Sequence, residues 1–286
     1  MRTTRIAAAV AAGVVMMAGL TACNSGGGKS NGTGGGSAGG SSNDASGSKS
    51  PLEAALASLK TASQQTSDKK SAQIDGTQKM GPTTRTMKGA MDWSNGINMT
   101  LDITNTGGPM ASGKPMKALY TPQAMYMNMG MPMGGKSWLK YDYDALAKKG
   151  GPAGALMKDS MQNNDPVKSV NLLIASGKVK EAGKEDVRGV QATHYTGTVD
   201  VAEMAKMQSK SLSEADLKAL EQQLKKIGAT TETIDLWIGP DNLLVKKREQ
   251  MDGQQATDST VFYSNYGTKV TVTPPPAGDT MAAPGM

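Results

Sequence analysis

Gly96-Ile97-Asn98-Met99-Thr100-Leu101-Asp102-Ile103-Thr104-Asn105 reads as a single β-strand. Ile97, Met99, Leu101 and Ile103 fall on one face, Asn98, Thr100, Asp102 and Thr104 on the other, because side chains alternate along an extended chain. A period of two with one apolar and one polar phase marks an antiparallel sheet, packed on one side and wet on the other. The rest of the chain is read outward from this strand.

Upstream, Ser71–Met80 and Arg85–Trp93 are two further strands, set off by Gly-Pro and Ser-Asn-Gly turns. Before them, Ser50-Pro51 opens a helix over 51–66, with Leu52, Ala55, Leu56 and Leu59 at helical spacing. Downstream, a Gly/Pro/Lys loop (107–115) leads into Met116–Thr121, Gln123–Met129 and Ser137–Tyr141. Met125, Met127, Met129, Met131 and Met133 stand at period two, although Gly130, Pro132, Gly134 and Gly135 should break the strand and leave the last two in a turn. A helical run near Ala153–Asn163 and a helix over Val167–Ala175 follow. Then come strands at Lys178–Val187 and Val190–Val199, and a helix from Ser213 with Leu217, Leu220, Leu224 and Ile227 on one stripe. The chain closes with strands at Thr230–Gly239, Leu243–Met251, Ser259–Tyr266 and Lys269–Thr273, stopped by Pro274-Pro275-Pro276. Residues 277–286 read as a disordered tail. No composition break divides 51–273, so one α+β domain is expected: about a dozen strands with a few helices. A long antiparallel sheet with an apolar face must curl or be covered, and the helices are the available cover.

Ahead of that domain the chain has a different character. Arg2 and Arg5 precede an apolar run from Ile6 to Leu20, followed by small residues, which is the pattern of an export signal. The run is too short for a spanning helix. Leu20-Thr21-Ala22-Cys23 resembles the lipobox of bacterial lipoproteins, and Cys23 is the only cysteine in 286 residues. The resemblance implies that the Cys23 thiol carries diacylglycerol and that residues 1–22 are removed. The chain would then be held to the cell membrane on its extracytoplasmic face. Several acyl chains on one Cys exceed the marginal hold of a single chain. Residues 24–50 contain ten Gly and eight Ser and are expected to be a flexible linker between the acylated Cys23 and the domain.

Composition removes several function classes. Without Arg2 and Arg5 there are 29 basic against 25 acidic side chains, an excess that suits anionic lipid but is too small and scattered for nucleic acid. With Cys23 acylated no disulfide can form, so the fold must rest on its core. Gly35-Gly36-Ser37-Ala38-Gly39 fits a nucleophile-elbow pattern, but no strand precedes it and no helix follows. His194 is the only histidine, at mid-strand, with no marked Ser partner for a triad and too few companions for a zinc site. Glu185-Asp186 and Lys246-Lys247-Arg248 read as solvated surface and a charged strand edge. No enzyme and no cofactor are expected. The Met stripe keeps three readings: adaptable lining of a lipid cavity, plain core, or a thioether site for Cu(I) at the Met129–Met133 turn.

Three blocks carry a family resemblance. Residues 235–250 read DLWIGPDNLLVKKREQ, paired strands around a Gly/Pro/Asp turn. Residues 259–277, STVFYSNYGTKVTVTPPPA, form a closing hairpin with a Tyr-Gly turn, and residues 187–200, VRGVQATHYTGTVD, a hairpin about a Gly turn. Together with the lipobox and the order of elements over 51–276, these resemble the LolA-like lipoproteins of the LppX/LprA/LprF/LprG type. The resemblance implies a curled, half-open antiparallel β-barrel of about a dozen strands wrapped against helices. It also implies an acylated lipid or lipoglycan held in the gap and carried in the cell envelope. Some relatives act as regulators, so an envelope sensor working through a protein partner is the alternative. If the curled sheet holds a lipid, the apolar phase of the best strands lines the cavity: Met99, Leu101 and Ile103, with Met125, Met127 and Met129.

Overall fold

A computed structural model describes residues 50–286 apart from 109–113, 209–212, 216, 219–220, 223–227, 229, 254–255 and 285–286. The export-signal stretch, Cys23, the linker up to residue 49 and much of the helix expected from Ser213 lie outside the described residues.

Helix α1 (Pro51–Asp68) begins where its first residues require. The Ser50 side chain accepts from the Glu53 backbone N–H at 3.2 Å, and the Glu53 carboxylate accepts from the Ser50 N–H at 2.8 Å. That reciprocal capping box satisfies two donors a helix start leaves orphaned. Ala55, Leu59, Ala62 and Thr66 form its buried face.

Six strands follow as a meander: β1 (Ser71–Met80), β2 (Thr83–Asp92), β3 (Asn98–Thr106), β4 (Met116–Tyr120), β5 (Ala124–Met133) and β6 (Lys136–Asp142). Helices α2 (Tyr143–Gln162) and α3 (Val167–Ser176) lead into β7 (Val179–Val187) and β8 (Val190–Asp200). Helix α4 (Val201–Gln208) precedes β9 (Thr231–Ile238), β10 (Leu244–Met251), β11 (Thr257–Ser264) and the short β12 (Thr280–Ala282). The twelve strands of the described residues join one sheet in the order β12-β6-β5-β4-β3-β2-β1-β11-β10-β9-β8-β7. The first strand therefore sits mid-sheet and joins the meander to the C-terminal strands through its antiparallel pairing with β11. The sheet does not close: β7 forms one edge, largely exposed along its length and studded with Lys180, Glu181, Lys184, Glu185 and Asp186. Charge on an edge discourages pairing with another chain.

The helices occupy different parts of this sheet. Helices α1 and α3 pack on each other; α1 reaches β7 and β10, and α3 reaches β7, β8 and β9. Helix α2 lies against β6 and α4, and α4 against β8. The result is a curled half-open barrel with helices on its inner side.

Several local expectations need correction. The tail is not disordered through residues 277–286: Ala277–Asp279 form a 3-10 turn, and Thr280–Ala282 pair in parallel with Trp138–Lys140 on β6. Asp279 accepts from the Ser137 N–H at 2.8 Å, the Ala283 N–H bonds the Lys140 carbonyl at 2.9 Å, and Met281 and Ala283 pack into the core. This tail carries no alternation, because it gains its partner by covering an edge. Lys269–Thr273 is not a strand. The neighbouring β11 is already paired on both sides, by β1 and β10, so no ladder remains for it. Strand β5 continues through Gly130 to Met133, with the register slipping between Asn128 and Met133. Gly130 absorbs the slip at φ +74°, and its N–H bonds the Asn128 side chain at 2.9 Å. Helix α2 starts ten residues earlier than the periodicity suggests, capped by Asp142, and kinks at Gly151 with φ 55° and ψ −140°.

Candidate functional site

Strand register fixes which side chains share the inner face. One cross-strand row runs Ala72, Met91, Met99, Tyr120, Met125, Tyr141. The next runs Tyr263, Ile74, Gly89, Leu101, Ala118, Met127, Leu139. A third runs Lys247, Val261, Gly76, Met87, Ile103, Met116. Five of the six residues singled out in sequence, Met99, Leu101, Ile103, Met125 and Met127, thus occupy neighbouring positions on one apolar surface. Met99, Leu101 and Ile103 are buried in one cluster with Met91, Met116 and Ala118. Met125 and Met127 are buried in a second with Leu139, Tyr141 and Tyr143, and half-buried Met129 touches both clusters. Past the register slip the stripe breaks up: Met131 is 47% exposed, while Met133 packs back on the second cluster.

The middle row alternates bulky and small residues. A Cβ on Gly89 would stand 1.8 Å from the Thr100 carbonyl oxygen, so no side chain fits there, and the surface stays low between Ile74 and Leu101. Ala118 makes a second low point between Leu101 and Met127. From above, Leu146 and Met161 of α2 pack on the second cluster.

Polar groups also point inward. A fourth row runs Glu249, Ser259, Gln78, Arg85, Asn105 along one end of the apolar surface. The Arg85 Nε donates to Asn105 Oδ1 at 3.1 Å, and Asn105 Nδ2 is buried with no partner among the described residues. At the other end the Tyr141 and Tyr143 hydroxyls are buried without partners among the described residues, and burial pushes both phenols above their ordinary range. Sequence reading missed these residues, yet the signal was present. Arg85 shares its phase with Met87, Gly89 and Met91, and Asn105 with Met99, Leu101 and Ile103.

The opposite face of the sheet resolves three further expectations. His194 stacks on Trp237 with ring centroids 4.3 Å apart and planes 10° from parallel. Its nitrogens meet Glu185 at 3.0 Å and Asp235 at 2.9 Å. Glu185 also accepts from the Trp237 indole N–H at 3.0 Å, so it is a structural partner rather than free surface. Lys246 caps the same ring, its Nζ 3.6 Å from the centroid. The basic run on β10 is not a solvated edge, because β10 lies between β9 and β11. Arg248 forks onto Asp258 at 2.9 and 2.6 Å, and Lys247 points into the core. Among the described residues no group of three or more His, Cys, Asp or Glu is placed to hold a metal ion.

No protein-family model matches the chain. An uncharacterized 31.2 kDa protein of Streptomyces griseus, from the rplA-rplJ intergenic region, is 43% identical over 240 residues, covering 79% of this chain and 78% of its own length. A Streptomyces coelicolor protein described as a "putative lipoprotein" is 34% identical over 224 residues, covering 73% of this chain and 68% of its own. Among solved structures, LprF from Mycobacterium bovis is 18% identical with a TM-score of 0.47, covering 79% of this chain and 99% of that one. The Mycobacterium tuberculosis lipoprotein LppX is 13% identical with a TM-score of 0.48, covering 77% and 98%. With the identity it shares with the two Streptomyces proteins over most of its length, the chain belongs to their family, one member of which is described as a putative lipoprotein.

Proposed function

We propose that this chain is an envelope lipoprotein, anchored through acylated Cys23, that holds a lipid or lipoglycan against the inner face of its curled sheet and hands it on. The observation that carries the reading is the middle cross-strand row, where Gly89 and Ala118 leave low points among Ile74, Leu101, Met127 and Leu139. An acyl chain laid along such a surface gains roughly 0.8 kcal/mol per buried methylene. Thioethers on flexible stems can shift to admit it. The role is binding, not catalysis. Leu101→Trp or Met127→Trp puts a ring where acyl carbons would lie. The expected outcome is a folded protein that no longer retains lipid on extraction, measured by native mass spectrometry against wild type from its own membrane. Lipid-free wild type together with destabilised variants would defeat the reading.

One observation favours a second reading. Met99, Leu101, Ile103, Met125 and Met127 are buried by the protein itself. A self-filled interior suits an envelope sensor that acts through a protein partner, and lipid-free wild type would put that role first.

A further inference from the structure

Arg85 is out of place for an apolar lining. It sits inward on β2, opposite Gln78 and Asn105 and two positions from Met87 in the same phase. Its hydrogen bond goes to the neutral Asn105 side chain, and among the described residues no carboxylate forms an ion pair with it. Arg85 is half-buried, so solvent compensates only part of the charge of a guanidinium that stands beside an apolar face without a counter-ion. Asn105 adds a second, independent sign: it is 3% exposed, and its Nδ2 donor has no acceptor among the described residues. Buried donors are nearly always satisfied, so an orphaned one marks a place where an acceptor is missing. Two donor groups therefore converge where the apolar rows end. Burial lowers the basicity of Arg85.

We infer that Arg85 and Asn105 form the head-group subsite of the lipid-holding face, taking the phosphate of an anionic lipid whose tails lie on the Met99–Ile103 and Met125–Met129 rows. The inference rests on the lipid-holding reading above. The chemistry is that of a planar donor fork for phosphate oxygens, with the Asn105 Nδ2 as a further donor to the same group. Ser259 and Gln78 in the same row supply neutral polar groups beside it. Head and tail would then be read by adjacent rows of one sheet.

The test uses the full chain in dodecyl maltoside micelles, with dioleoyl phosphatidic acid and dioleoylglycerol as probes of identical tails with and without phosphate. Retention is read by native mass spectrometry. Wild type is expected to favour phosphatidic acid by roughly tenfold or more, the scale of a charge-assisted hydrogen bond. Arg85→Gln should abolish that preference while leaving dioleoylglycerol retention unchanged, and Arg85→Lys should keep much of it. Equal retention of both lipids by wild type overturns the subsite and leaves lipid holding intact. Retention of neither overturns both. Inorganic phosphate displacing phosphatidic acid at equal concentration would make this a free-phosphate site and overturn the lipid assignment. The wild-type comparison decides the matter even where a variant does not fold.

Discussion

The two halves of the sheet share one inner face but are built from different materials. Over β7 to β10 the face is covered by α1 and α3, and its core is branched and aromatic: Val170, Leu173, Tyr195, Val199, Ile234, Leu236 and Leu244. It also encloses charge. Lys247, 7% exposed, donates to Ser169 at 3.0 Å and pairs with Glu249 at 3.1 Å. Over β2 to β6 the face is lined by thioethers and small residues, with α2 reaching it near β6. One half spends its interactions on a fixed shape, and the other keeps side chains that can rearrange. The contrast locates the scaffold in the C-terminal strands and the adaptable surface in the meander.

The largest expected effect breaks the scaffold. Burial alone would discharge Lys247, but Glu249, Tyr263 and Glu232 together outweigh it and hold the ammonium above its ordinary range; burial likewise pushes Glu249 up, and Lys247, the Ser169 hydroxyl and Lys168 together hold it below its own. Lys247→Met removes the cation and leaves Glu249 and Glu232 buried together. Losing one partner of a buried pair costs roughly 3–5 kcal/mol. Denaturant unfolding should show a matching fall in midpoint. A change below about 1 kcal/mol would mean the network contributes little to the scaffold.

A smaller effect comes from pH. Burial, reinforced by Glu249, pushes the Glu232 carboxyl up to about 8 from its ordinary 4.5. Between those two values the folded chain binds more protons at this site than the unfolded chain, so the site's contribution to stability falls as pH rises. It is intact below about 4.5 and fully lost above about 8. Glu232→Gln should therefore gain on wild type progressively from pH 5 to pH 8, by roughly 1–3 kcal/mol, and hold that gain above it. A stability difference that does not vary with pH would show that Glu232 does not titrate in this window.

How far the sequence discloses this comparison depends on what sets each element. Strand phase is local, so Met99, Leu101 and Ile103 were legible from alternation alone, and the register then aligned them with Met125 and Met127. Capping is local too, and Ser50 and Glu53 announced α1. Partners are not local. Lys247 follows Lys246 in a run that looks solvated, and only the docking of α3, which brings Ser169 over β10, makes it a core residue. Thr280–Ala282 became a strand only because β6 offered a bare edge. Arg85 is legible by phase, but one polar residue in an apolar phase carries no signal of its own until the register sets Asn105 opposite it.

The smallest stability effect is the most diagnostic of the adaptable half. The triple change Met99→Leu, Met125→Leu and Met127→Leu conserves volume and apolar character. Such exchanges cost less than about 1.5 kcal/mol even where packing is tight. Leu also has fewer rotatable bonds than Met, so less side-chain freedom is lost on burial. With that gain offsetting part of the packing cost, the three exchanges together should cost about 1 kcal/mol, a shift of about 2–4 °C in a domain of this size. Function should respond differently. Three branched, stiffer side chains cannot re-shape around tails of different length as thioethers can. If the meander face is an adaptable lining, the variant keeps its fold but retains a narrower range of acyl lengths than wild type from the same membrane, read as the spread of bound masses. If that face is packed like the β7 to β10 half, the acyl distribution stays as it was and the melting temperature falls further. In that case the difference between the halves is one of composition alone.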